Sequence, residues 1–263
     1  MADSWKPPVL DDAERERYSR QLLIPEWGEE GQVRLRNSTV LVAGLGGLGS
    51  PVCLYLAAAG VGKLVLCDYG EVELSNLNRQ ILYGGRDLGR LKAPVAATRL
   101  KNLNPSVSTR TITDKIDESN VAVLSSGVDI IVDCLDNFPT RLILNAQAVR
   151  QRTPYVHGGI LGTGGQFAFL HPPLTPCLAC LFGDQESYPA ATGKSIGSTP
   201  LPVVGAIAGN IACMEALAVL RYLVLGKPTL PNRLWRTDGW DSEAEILDIS
   251  RNLCCPICGT IHT

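Results

Sequence analysis

Apolar residues fall along this chain in short blocks of two kinds. Residues 39–43, 63–68 and 128–134 form runs dominated by Val, Ile and Leu, and 107–113 and 154–157 are shorter or more polar stretches that also read as strands. Runs of that length without alternation suit strands buried on both faces. Between them, 91–103 and 139–151 carry apolar positions at helical spacing, and a Leu- and Ala-rich helix follows a glycine turn up to Gly60. Strands alternating with helices predict a mostly parallel sheet with helices on both faces, an α/β fold of Rossmann type.

The pattern changes after Gly162. Residues 167–170 predict an antiparallel strand, and 183–200, rich in Gly, Ser, Thr and Pro with no apolar period, predict a mobile loop. A long apolar helix over 201–225 and a last strand near 246–249 follow. Residues 12–23, charged and ahead of Pro25, predict a short N-terminal helix carrying Tyr18, Arg20 and Gln21. No internal repeat divides the chain, so 1–263 reads as one domain.

The 201–225 segment has the length to cross a bilayer. It contains Asn210, Glu215 and Arg221, with Glu215 near its centre, where a charge is costly in lipid. A buried or dimer-facing helix is the better reading. The composition agrees: of 263 residues 45% are hydrophobic and 19% charged, and the formal net charge is -2. No basic excess points to nucleic acid or an anionic membrane. The N-terminal residues lack an apolar signal core, which predicts a cytoplasmic protein.

The chemistry begins at the first strand. Gly44-Leu45-Gly46-Gly47-Leu48-Gly49 opens a helix immediately after it. Glycines in that pattern let a backbone turn approach a phosphate at a helix N-terminus. Asp68 ends the next strand nineteen residues after Gly49, where an acid can hold a ribose hydroxyl. These features alone say "nucleotide", with NAD as the default. Ser75-Asn76-Leu77-Asn78-Arg79-Gln80, then Lys92, then Asp136-Asn137 at the end of the 128–134 strand add cations and a carboxylate. Such groups suit a triphosphate with Mg²⁺, and a hydride-transfer site needs none of them.

Four of the nine cysteines form two Cys-x-x-Cys pairs, Cys177/Cys180 and Cys255/Cys258. Four thiolates make a closed tetrahedral Zn²⁺ site with a structural role. Cys53, Cys67, Cys134 and Cys213 lie in apolar contexts and read as buried thiols, and Cys254 as a spectator. His157 and His171 read as core or turn histidines.

Arg17-Tyr18-Ser19-Arg20-Gln21, Gly44 to Gly49, Ser75 to Gln80, Lys92, Asp136-Asn137 and the paired cysteines occur in one order. In that order and spacing the chain resembles the bacterial ThiF/MoeB/HesA family, relatives of the ubiquitin-activating enzymes, over about residues 14–259. Its layout is similar to that of molybdopterin-synthase and thiamine sulfur-carrier adenylyltransferases. The resemblance implies a Rossmann-type sheet extended by antiparallel strands, with 12–160 as the nucleotide-binding half and 161–263 as the extension, mobile loop and zinc site. It also implies ATP-dependent adenylation of a ubiquitin-fold sulfur carrier ending in Gly-Gly, with sulfur from a donor protein or sulfide. Gly47 and Asp68 would hold ATP, Asn76, Arg79 and Lys92 its phosphates, and Asp136 Mg²⁺ with Asn137 beside it. Arg20 would reach the ATP site of the other subunit of a homodimer. The family's Asp-x-Asp after the second strand reads Asp68-Tyr69-Gly70 here. Some members carry a reactive cysteine before the long helix; no cysteine lies between Leu181 and Ala212, which predicts activation without an enzyme thioester. Two other readings are a zinc-containing NAD(P)-dependent oxidoreductase and a non-catalytic binding partner. Four closed thiolates argue against the first, and the intact Arg79, Lys92 and Asp136 against the second.

Overall fold

A computed structural model describes residues 9–183 and 202–260. Its frame is one eight-stranded sheet. The strands are β1 (Thr39–Ala43), β2 (Lys63–Cys67), β3 (Ser108–Ile112), β4 (Ile130–Asp133), β5 (Tyr155–Leu161), β6 (Gly164–Leu170), β7 (Arg233–Asp238) and β8 (Glu243–Asp248). They lie in the order β3-β2-β1-β4-β5-β6-β7-β8. The first five are parallel, and β5 to β8 pair antiparallel. Val40, Leu41 and Val42 are fully buried because β1 sits mid-sheet under helices on both faces. Each such side chain contributes about 1.5–3 kcal/mol by leaving water.

The longer helices and those that position the site are α1 (Asp12–Arg17), α2 (Ser19–Leu22), α3 (Gly28–Arg36), α4 (Gly49–Ala59), α5 (Lys92–Leu103), α6 (Val121–Leu124), α7 (Phe138–Gln151), α8 (Leu178–Phe182) and α9 (Gly205–Leu225). One core packs Leu35 of α3, Leu56 of α4, Leu100 of α5 and Val219 of α9 on one sheet face. A second packs Val121 of α6, Leu144 of α7 and Leu178 of α8 on the other. Among the described residues α9 alone is long and apolar enough to cross a membrane. It packs against α4, β5, α3 and β6, and its Glu215 is fully buried.

The N-terminal helix expected over 12–23 is two helices broken at Tyr18. Asp11 and Glu14 form a capping box that starts α1. The chain turns at Tyr18 because its ring packs on Gly60, where α4 ends, while its hydroxyl accepts from Asn104 Nδ2 at 2.9 Å. The β7 strand escaped the sequence pattern, and β8 begins three residues before the strand expected near 246. The loop expected at 183–200 lies, beyond residue 183, outside the described residues.

Candidate functional site

The C-terminal ends of the parallel strands carry the candidate groups. Gly44 leaves β1 with φ +88°, a left-handed conformation open to glycine, and a Cβ there would meet the Cys134 carbonyl oxygen at 2.6 Å. At Gly49 a Cβ would lie 1.9 Å from the Gly44 carbonyl oxygen, so the first position of α4 tolerates no side chain. Asp68, at the end of β2, accepts from Leu45 N at 2.7 Å and from Gly70 N at 2.8 Å. Its carboxylate therefore ties the glycine turn to the segment that follows β2.

The Ser75–Gln80 segment closes on the same turn. The Arg79 stem comes within 3.4 Å of a Cβ placed at Gly47, and Gln80 Nε2 within 3.6 Å of one at Gly46. Arg79 Nη1 donates to Ser75 O at 2.9 Å and to Asn78 Oδ1 at 3.0 Å, which fixes the guanidinium. Asn76 is buried and accepts from Glu73 N at 3.2 Å, while Leu77 is half-buried. Lys92 opens α5, and its Nζ lies 3.4 Å from a Cβ position at Gly70. Its ammonium has no hydrogen bond or ion pair among the described residues.

Asp136 follows β4 and is exposed, with Asn137 Nδ2 3.5 Å from its Oδ1. The cap of α7 is Asn137, whose Oδ1 accepts from Thr140 N at 3.0 Å, so Asp136 is not consumed in capping. One exposed carboxylate with no ion pair among the described residues matches how Mg²⁺ binds, through one or two carboxylates plus substrate phosphates. The structure thus brings Gly44, Gly46, Gly47, Gly49, Asp68, the 75–80 segment, Lys92 and Asp136 to one edge of the sheet.

Arg20 is elsewhere. Gln21 Nε2 bonds Gln32 Oε1 at 2.9 Å and Ala59 O at 3.1 Å, which mounts α2 on the C-terminal end of α4. The glycine turn is at the other end of that eleven-residue helix, about 16 Å away at 1.5 Å per residue.

At the C-terminal end of β5, with β4 between it and β1, Gly159, Gly164, Gly165, Gln166, Arg236 and Asp238 border an open groove of about 610 Å³ along β5 to β8. The N-terminus of α9 links it to the turn: Gly205 packs on Asn78 and Arg79, and Ala208 faces Gly47. Neither contact had a signal in the sequence. Nor did Tyr83, whose buried hydroxyl donates to Leu45 O at 3.0 Å.

Behind Asp136 lies a buried charged network. Asp133 Oδ2 meets Arg141 Nη1 at 2.9 Å and His157 Nδ1 at 3.0 Å. Burial pushes the Asp133 carboxyl up, but Arg141 and the His157 hydrogen bond outweigh it and hold it below the usual carboxylate range. Burial lowers His157, which keeps it neutral. Glu215 is raised well above the usual range, by burial first and then by Asp133, and its Oε2 has no hydrogen-bond partner among the described residues.

Cys177, Cys180, Cys255 and Cys258 place their sulfurs within 4.8 Å of one another. Three of the six separations are 3.4, 3.7 and 3.9 Å. A tetrahedron with 2.3 Å metal–sulfur bonds needs about 3.8 Å, so the cluster can hold a metal ion. Leu178 N donates to Asn145 Oδ1 at 2.9 Å, joining the cluster to α7. Cys53, Cys67 and Cys134 are buried, Cys213 is half-buried and Cys254 exposed.

The ThiF family model aligns with residues 18–257. The chain belongs to the ThiF family. It is 40% identical to the SAMP-activating enzyme E1 of Haloferax volcanii over 250 residues, covering 95% of this chain and 91% of that protein. It is also 40% identical to the sulfur carrier protein adenylyltransferase of Thermus thermophilus over 260 residues, covering 97% and 93%. The Escherichia coli ThiS adenylyltransferase is 38% identical over 251 residues, covering 95% and 97%. Escherichia coli MccB, solved with ATP, shares the fold at a TM-score of 0.82 and 24% identity, covering 95% of this chain and 75% of that one. As a ThiF-family chain it has the expected fold, a Rossmann-like mixed sheet flanked by helices with a four-cysteine cluster.

Proposed function

We propose that this chain uses ATP and Mg²⁺ to adenylate the C-terminal glycine carboxylate of a small ubiquitin-fold sulfur carrier ending in Gly-Gly. One observation carries the reading: Arg79, held by Ser75 O and Asn78 Oδ1, packs on Gly47 of the glycine turn, while Lys92 beside Gly70 and an Asp136 not used as a cap lie at the same end of the parallel strands. Relatives at 40% and 38% identity that cover nearly the whole chain are themselves sulfur-carrier adenylyltransferases, which supports the substrate class.

In this reading the backbone of Gly44 to Gly49 cradles phosphate, and Asp68 takes the ribose. The carrier's tail lies in the groove, where glycines leave room for an extended chain. Its carboxylate is ionised at neutral pH and attacks the α-phosphorus without a general base. The barrier is then the approach of anions and the charge that grows on phosphate oxygens. Arg79 and Lys92 oppose that charge from fixed positions, with Ser75, Asn76, Leu77 and Asn78 forming the wall that holds Arg79. Asp136, with Asn137 beside it, holds Mg²⁺, which supplies further neutralisation at the phosphates. Pyrophosphate leaves, and the acyl-adenylate waits for sulfur from a donor protein or sulfide.

Arg20 sits too far from its own glycine turn to serve it, so a second copy of the chain supplies it in a homodimer. The four cysteines hold structural Zn²⁺. With no cysteine from Leu181 to Ala212, the carrier is released without passing through an enzyme thioester. Intact-mass spectrometry after incubation with ATP, Mg²⁺ and carrier tests this: the expected species is adenylated carrier, and a carrier thioester on the enzyme would contradict it. Crystals soaked with nucleotide separate adenylation from hydride transfer, since a nicotinamide ring in the cleft would overturn the reading.

A further inference from the structure

Gln166 connects the groove to the interior. It borders the groove on β6, and its Nε2 lies 3.2 Å from His157 Nε2 on β5. His157 is 3% exposed, and its Nδ1 lies 3.0 Å from Asp133 Oδ2 on β4. Asp133 is paired with Arg141 Nη1 of α7 at 2.9 Å. Arg141 Nη1 also donates to Gly158 O at 2.8 Å, and its Nη2 donates to the carbonyl of Leu135, the residue before Asp136. Leu135 N in turn donates to Asp133 Oδ1 at 3.2 Å. Four side chains from β6, β5, β4 and α7 thus form an unbroken line from the groove to the backbone that carries Asp136.

Arg141 Nη1 also lies 2.7 Å from His157 Nδ1, so Asp133, Arg141 and His157 share one buried cluster. In the tautomer protonated at Nδ1, His157 donates to Asp133 and its Nε2 accepts from the Gln166 amide. The Gln166 carbonyl oxygen has no partner among the described residues, so it can accept a backbone N–H from an extended peptide. A buried ion pair adds little net stability over an apolar packing of the same volume. It does set geometry, and here the geometry set is that of Leu135 and Asp136.

We infer that Gln166, His157, Asp133 and Arg141 form a positioning relay through which a peptide in the groove fixes the Asp136 segment for its metal. The relay rests on the functional reading for its two ends; its members are positioning residues, touching neither nucleotide nor metal. Polar groups that orient the residues around a metal typically govern metal affinity by 10–100-fold. His157→Leu should therefore raise the Mg²⁺ concentration for half-maximal carrier-dependent turnover by about tenfold, with ATP affinity unchanged. His157→Asn, which can still donate to Asp133, should recover most of that loss. A second readout needs no turnover: backbone hydrogen exchange. In His157→Leu the Leu135 and Asp136 amides should exchange about tenfold faster than wild type, with the interior amides of β1 and β2 unaltered. In wild type, a short peptide ending in Gly-Gly should slow the same two amides, and Gln166→Ala should abolish that slowing. An unchanged Mg²⁺ requirement, or unchanged exchange at 135–136, would overturn the relay. So would equal losses in the Leu and Asn variants tracking a common fall in melting temperature. Wild-type enzyme lacking carrier-dependent turnover would instead remove the functional reading, and hydrogen exchange would then judge the relay alone.

Discussion

Arg79 packs on the glycine turn while Lys92 lies beside Gly70, and their losses should differ in character. Arg79 is clamped by Ser75 O and Asn78 Oδ1, so its charge is preorganised, whereas Lys92 has a flexible stem with no partner among the described residues. Arg79→Ala should cost about 10²–10³-fold in turnover with little change in melting temperature, as for other fixed donors to developing charge. Arg79→Lys should recover little, since a shorter lysine lacks the planar guanidinium that bonds Ser75 O and Asn78 Oδ1 through Nη1 while keeping its other N–H groups for phosphate; recovery near wild type would count against a fixed guanidinium. Glu215 makes a separate prediction at this scale. Its carboxyl is raised in the fold, so the unfolded chain loses the proton at lower pH than the folded one. The stability tied to this proton is fully present below the unfolded value near 4.5 and declines as pH rises above it. Glu215→Gln should melt a few degrees above wild type at pH 8, and the gap should close toward pH 5. Thermal scans at the two pH values check this, and a constant gap would contradict it.

Among the elements, legibility followed burial. β1, β2 and β4 stood out because helices cover both faces and their buried positions are apolar, Asp133 at the end of β4 excepted. β7 and β8 did not, since β8 is exposed along its whole length and neighbouring Arg–Asp and Arg–Glu pairs replace an apolar pattern. β7 alternates only weakly, with Leu234 its one buried residue. The glycine turn, Asp68, Arg79, Lys92 and the cysteine pairs could be read locally, because each lies in a short contiguous motif. The Asp133–Arg141–His157 network could not, since its members come from three elements and only the sheet order brings them together. Among the elements α7 matters most: Asn137 caps it, Asp136 precedes it, and Asn145 joins it to the cysteine cluster. Removing the proposed zinc, by a strong chelator or by Cys258→Ser, should release the C-terminal segment from Leu142 and Val149 and lower the melting temperature. Metal analysis should find one zinc per chain in wild type and a loss in the variant. A wild-type chain that holds no metal and melts unchanged with chelator would contradict the assignment.

At the scale of the whole molecule, the proposed dimer turns a distance into a test. Arg20 and Arg79 sit at opposite ends of α4, so a single chain cannot bring both to one nucleotide. If a partner supplies Arg20, Arg20→Ala and Arg79→Ala are each inactive alone, yet a mixed dimer of the two holds one complete site. Random mixing should then restore about a quarter of wild-type turnover, because half the dimers are mixed and each has one working site. Mixtures that stay as inactive as the parents would place Arg20 outside the reaction. Adenylation itself is most directly tested by exchange of labelled pyrophosphate into ATP. The account predicts exchange that requires Mg²⁺ and a ubiquitin-fold carrier ending in Gly-Gly, and that disappears when the terminal glycine is removed. Exchange without carrier, or none with any Gly-Gly carrier while the protein binds NAD(P), would contradict it.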